Sequence, residues 1–147
     1  MFKHILIPTD GSAASARAAA AAVELARATG AKVTGFFAAP PATPVVFSEM
    51  MPVGYMPPDR HTDLIDKAAT RYLGVIEHAA KAAGVAFEGD RVTSDYPADA
   101  IVEAARQHKC DLIVMASHSR PGLSALILGS QTQKVLAHAK VPVLVFR

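Results

Sequence analysis

Two stretches of this sequence bring together residue types that handle sugar and phosphate. Pro8-Thr9-Asp10-Gly11-Ser12 follows one short apolar run, and MASHSRPGLSALILGS, residues 115–130, closes another. Each passes from apolar to small and polar residues just before a helical pattern opens. Asp10 could accept hydrogen bonds from ribose hydroxyls or a base amine. The same carboxylate before Gly-Ser is also a common turn and capping residue. Gly129-Ser130 opens a helix, where free N–H groups and the helix dipole favour an anion. The Ser130 and Thr132 hydroxyls can add donors there, although a plain serine N-cap accounts for the pattern equally well. Ser117, His118, Ser119 and Arg120 would complete a polar collar; His118 and Arg120 read just as readily as solvated surface residues.

Other chemistries lack their residues. There is no phosphate loop of the G-x-x-x-x-G-K-[ST] type, and Ser12 does not sit in a G-x-S-x-G elbow. His108 and Cys110 stand two apart with no second pair at ligand spacing, so no metal site is expected. Cys110 is the only cysteine, which rules out an internal disulfide. Without triad-like partners it reads as a small residue at a strand start. The net charge of +2 comes from scattered basic residues, which argues against a nucleic-acid or membrane footprint. No apolar run reaches the roughly 18 residues of a membrane span. The N-terminus also lacks a signal-peptide core. The expectation is a soluble cytoplasmic protein forming one domain over residues 1–147.

The elements that must position those stretches alternate in type. Phe2–Pro8 reads as a buried strand around Ile5-Leu6-Ile7, followed by a helix from an Ser12 N-cap to Gly30. Lys32–Ala39 is a second strand. Pro40–Arg60, dense in proline and carrying Met50, Met51, Tyr55 and Met56, reads as a long irregular loop. A helix over Thr62–Ala83 follows from apolar residues at Leu64, Ile65, Ala68, Ala69, Tyr72, Leu73 and Ile76. Val85–Thr93 is a weak edge strand, and a helix begins with Pro97 near N1. Asp111–Met115 is an apolar strand, Ser130–Ala139 a short helix and Val141–Phe146 a final strand. Such alternation predicts an α/β fold: a five-stranded open parallel sheet, doubly wound, with helices on both faces. Strand order stays open. If the first and fourth strands are neighbours, the two stretches face each other across a switch-point crevice.

Taken together, ILIPTDGS, DLIVMASHSRPGLSALILGS and VPVLVFR resemble the universal stress protein family over essentially the whole chain. The resemblance implies a Rossmann-like fold of the adenine nucleotide alpha hydrolase kind and a homodimer paired through the last strand, Val141–Phe146. It also implies a role in stress response. ATP-binding members are similar to G-x-x-G, nine residues, G-[ST]. Here Ala116 and Ser119 replace the two leading glycines, while the spacing and Gly129-Ser130 are intact. Carried over residue by residue, Pro8, Thr9 and Asp10 would contact adenosine, and Ala38 would offer backbone groups to adenine. Met115 and Ala116 would flank ribose and base. Ser117, Ser119, Gly129, Ser130, Gln131 and Thr132 would line the phosphates of ATP, with or without Mg. A left-handed backbone at Ser119 would cost roughly 1 kcal/mol. A regulatory adenine-nucleotide binder is the leading expectation. A nucleotide-free dimeric interaction protein, suggested by the missing glycines and the methionine-bearing loop, is the alternative. A very slow ATPase is the third, and it lacks a dedicated base.

Overall fold

The computed structural model describes residues 1–42, 46–48, 51–53, 57–117 and 128–147. Its elements run β1 (His4–Pro8), α1 (Ala13–Thr29), β2 (Lys32–Ala39), β3 (Val46–Ser48), β4 (Met51–Val53) and α2 (Pro58–Ala82). Then come β5 (Phe87–Thr93), α3 (Pro97–Gln107), β6 (Leu112–Ala116), α4 (Ser130–His138) and β7 (Val143–Phe146). The main sheet has five strands in the order β5-β2-β1-β6-β7, and all of its pairings are parallel.

The central strands are apolar throughout because both of their faces are covered. Ile5 and Ile7 of β1, with Leu112 and Val114 of β6, pack on Ala19, Ala22 and Val23 of α1 and on Ile76 and Ala80 of α2. Their alternates, Leu6, Ile113 and Met115, pack on Ile101 and Ala104 of α3 and on Val135 of α4. The period of two along each strand thus splits the core into two layers. Alanines on α1 let that helix lie close to the sheet. The Ser12 side chain caps α1 by accepting from the Ser15 N–H, and Gly30 ends it at φ 71°.

Several elements differ from the sequence expectation. Helix α2 starts at Pro58, not near Thr62, because proline at the first helical position needs no N–H partner. The stretch between β2 and α2 is not wholly irregular: β3 and β4 pair antiparallel, with Val46 opposite Val53. Strand β7 begins at Val143, after Pro142, which lacks an N–H donor. Strand β5 begins at Phe87 and lies at the sheet edge, as its charges suggest. Of the long loop, Met50, Tyr55 and Met56 lie outside the described residues. Among the described residues, no helix is long and apolar enough to cross a membrane.

The amino ends of the strands hold buried polar groups. The Asp111 carboxylate accepts from the Lys3 and His4 N–H groups, tying the start of β1 to β6. Cys110 is buried, and desolvation pushes its thiol up to about 12, which keeps it protonated and unreactive. His4 is 5% exposed, with Nε2 2.7 Å from Thr34 Oγ1. Desolvation, helped by the nearby Lys32 charge, lowers its pKa from 6.5. As pH falls, the unfolded chain therefore takes this proton before the folded one does. The His4 contribution to stability is present above about pH 6.5 and is lost as pH falls through the lowered folded value. Urea unfolding should show a smaller loss of stability between about pH 7.5 and about pH 5 in His4→Gln than in wild type. Equal losses would remove His4 as a source of acid sensitivity.

Candidate functional site

Strands β1 and β6 are adjacent, with Ile5 beside Leu112 and Leu6 beside Ile113. From β1 the chain winds through β2 to β5 on one side, then returns to place β6 and β7 on the other. The first and fourth strands of the main sheet therefore flank its switch point, where crevices open at the carboxyl ends. The two polar stretches begin there, at Thr9 and Ser117. The ladder runs one step past each strand: the Thr9 N–H donates to Phe36 O at 2.9 Å, and the Ser117 N–H to Phe146 O at 2.9 Å.

The turn after β1 is held by its own side chains. Gly11 N–H donates to Thr9 Oγ1 (3.1 Å), and Ser12 N–H donates to Asp10 Oδ1 (3.0 Å). Ser15 Oγ gives its proton to Ser12 O at 2.9 Å. In the 3.1 Å contact between the Thr9 and Ser15 hydroxyls, Thr9 is therefore the donor. Asp10 thus performs the turn-forming role expected of Asp before Gly-Ser. Gly11 has φ 78°, a left-handed conformation that glycine adopts without penalty.

A cavity of about 210 Å³ opens between this turn, β2, β6, α3 and α4. Of the residues singled out from sequence, Pro8, Thr9, Asp10, Ala38, Met115, Ala116, Gln131 and Thr132 line it. Four lining residues escaped the sequence reading: Ser15, Phe36, Pro97 and Ile101. Phe36, Ile101 and Met115 belong to one apolar cluster and give the cavity an apolar wall. A larger groove of about 590 Å³ between α2 and β5 lies away from both polar stretches and carries the Asp66–Arg91 ion pair.

Ala38 contributes more than its methyl group. Phe36 O faces β1, where it meets Thr9 N–H, while Ala39 O faces β5 and accepts from Ser94 N–H. By the two-residue period, the Ala38 N–H and C=O point to the β1 side, beyond the last residue of that strand. They are directed into the crevice.

The opposite wall is the start of α4. Gly129 is its N-cap, at φ −57° and ψ 147°, and no described side chain caps it. Ser130 is the first helical residue, which corrects its reading as a serine cap. Gly129 N–H lies 3.4 Å from Ser117 Oγ. The buried Thr132 hydroxyl points back to Ala116 O at 3.4 Å, so it braces α4 on β6. Ala116 is the last residue of β6, paired with Phe146, and is 8% exposed. Among the described residues other than glycine, only Lys109 has positive φ. The Ala116 position therefore makes no use of glycine's backbone freedom. Ser119, with His118, Arg120 and Pro121, lies outside the described residues.

Topology and crevice define a doubly wound α/β protein with a ligand-sized cavity at its switch point. The universal stress protein family model matches residues 1–147, and the chain belongs to that family. A universal stress protein of Thermus aquaticus is 35% identical over 147 residues, covering 100% of both chains. A crystal structure of a family protein from Burkholderia pseudomallei superposes with TM-score 0.76 at 26% identity, over 98% of this chain and 95% of that one. A universal stress protein in complex with cAMP superposes with TM-score 0.69 at 28% identity, over 99% and 97% of the two chains.

Proposed function

We propose that the switch-point crevice binds an adenine nucleotide, ATP foremost, as a regulatory ligand in a stress response. The observation that carries this reading is the joining of two features in one place. An apolar cavity of about 210 Å³ opens beside the α4 N-terminus, which no described side chain caps. The base would lie between Phe36, Ile101 and Met115, with the Ala38 backbone groups reading its edge. Asp10 would face the ribose. The phosphates would meet Ser117, Gly129, Ser130 and Gln131 at the helix N-terminus, where dipole and N–H groups favour negative charge. A structural relative in complex with cAMP supports an adenine ligand for a protein of this fold. Among the described residues, Asp10 is the only carboxylate lining the cavity, and its Oδ1 is engaged by Ser12 N–H. That arrangement supports binding over phosphoryl transfer, which needs a metal site and a positioned water.

Pairing of two copies through β7 fits the same reading. β7 is an edge strand, its Leu144 is 41% exposed, and an apolar edge of this kind is ordinarily covered. Isothermal titration with ATP, ADP, AMP and cAMP, with GTP as control and with and without Mg, tests the ligand. Heat with the adenine nucleotides and a matching rise in melting temperature are expected. No heat and no thermal shift at millimolar nucleotide would transfer the case to a nucleotide-free interaction protein.

A further inference from the structure

We infer that Tyr72, on the middle of α2, is a positioning residue for the crevice: its ring fixes the Asp10 turn from the side opposite the ligand. The inference rests on the adenine-nucleotide reading of that crevice. Tyr72 does not line the cavity. A Cβ added at Gly11 would fall against Cδ1, Cε1 and Cζ of the Tyr72 ring. The ring therefore occupies the space that a side chain at position 11 would need. Glycine is required there twice, by its φ of 78° and by the ring.

The ring itself is held. It meets Phe37 of β2 edge-on, with centroids 5.2 Å apart and planes at 85°. Phe37 lies between Phe36 and Ala38, both of which line the cavity. One side chain thus touches the turn that carries Asp10 and the strand that carries the apolar wall. The hydrogen bonds from Gly11 N–H to Thr9 and from Ser12 N–H to Asp10 need this turn conformation. Close packing of the ring against Gly11 disfavours alternatives to it. Helix α2 is also tied near its start, where His61 Nε2 lies 3.1 Å from Pro40 O just past β2. A shift of α2 would therefore be felt at Asp10. The atoms that a side chain at position 11 would meet are all ring carbons, so phenylalanine should serve as well as tyrosine.

The test uses the full chain in five forms: wild type, Tyr72→Phe, Tyr72→Leu, Gly11→Ala, and the Gly11→Ala/Tyr72→Leu double variant. Amide hydrogen exchange by NMR, melting temperature and ATP titration are measured on each. Tyr72→Phe should match wild type in all three. Tyr72→Leu should speed exchange at Gly11 and Ser12, leave Ile5, Leu6 and Ile7 unchanged, and weaken ATP about tenfold. Gly11→Ala should lower the melting temperature less in the Tyr72→Leu background, because the clash is relieved and only the φ strain remains. Unchanged exchange at Gly11 and Ser12 in Tyr72→Leu, equal acceleration in the core strands, or strict additivity of the pair would each overturn the inference. If wild type takes up no ATP, the ligand reading fails, while exchange and melting still decide the role of Tyr72.

Discussion

Ala38→Trp should abolish ATP binding and leave the protein folded. The position is half-buried near the end of β2, and its side chain packs toward the α3 layer that walls the cavity. An indole there fills much of a 210 Å³ space with a group of nearly purine size. The backbone groups of Ala38 would remain, but the base would have nowhere to lie beside them. A loss of at least about 100-fold is expected, or roughly 2.8 kcal/mol of binding free energy. Overpacking a filled core typically costs about 1–3 kcal/mol. Because the new side chain enters existing space, the melting temperature should fall little. Titration with ATP and thermal unfolding check the two halves. Wild-type affinity in a folded variant would place the base outside this cavity.

The contrast between Ala38 and its neighbours shows how far the sequence reached. Ile5-Leu6-Ile7 and the DLIVM run were legible as strands because burial on both faces leaves no polar alternation to confuse with a helix. Lys32–Ala39 was read with the boundaries it has in the fold. The Ser12 and Gly30 signals marked α1 because capping chemistry is local. Strand order was not legible, since the β1–β6 pairing joins residues more than 100 positions apart and no local signal encodes it.

The same distinction divides the site. Pro8, Thr9 and Asp10 stood out because polar residues at a strand's carboxyl end are visible in one dimension. Phe36 and Ile101 did not, because each looks like any core residue until β2 and α3 are set side by side. The alternation of Phe36, Phe37 and Ala38 held part of the answer: residues 36 and 38 share a face, and Ala38 had been singled out. Pro97 was read as a helix start, and its place at the cavity follows from where α3 begins. Ala116 shows the limit of motif matching. Its alanine-for-glycine departure loses its force once β6 is seen to run through it in an extended conformation. The double proline at 57–58 was a local signal for the start of α2 that the apolar periodicity, beginning at Leu64, overshadowed.

Ile113→Ala and Ile5→Ala should destabilise the protein alike and affect its ligand differently. Both side chains are fully buried on central strands, and each deletion leaves a cavity in a packed layer. Each should cost about 3–4 kcal/mol, a large share of a typical domain's stability and about 10 °C in melting temperature. The two residues lie on opposite faces of the sheet. Ile5 packs in the layer of α1 and α2. Ile113 packs in the other layer, in one cluster with Phe36, Ile101 and Met115, the apolar wall of the crevice. Loosening that cluster should weaken ATP about tenfold in the folded protein, whereas Ile5→Ala should leave affinity near wild type. Urea unfolding measures the first effect. Titration well below both melting temperatures measures the second. Equal losses of affinity would show that the crevice responds to the stability of the whole sheet; an effect confined to Ile113→Ala would assign it to the α3–α4 layer alone.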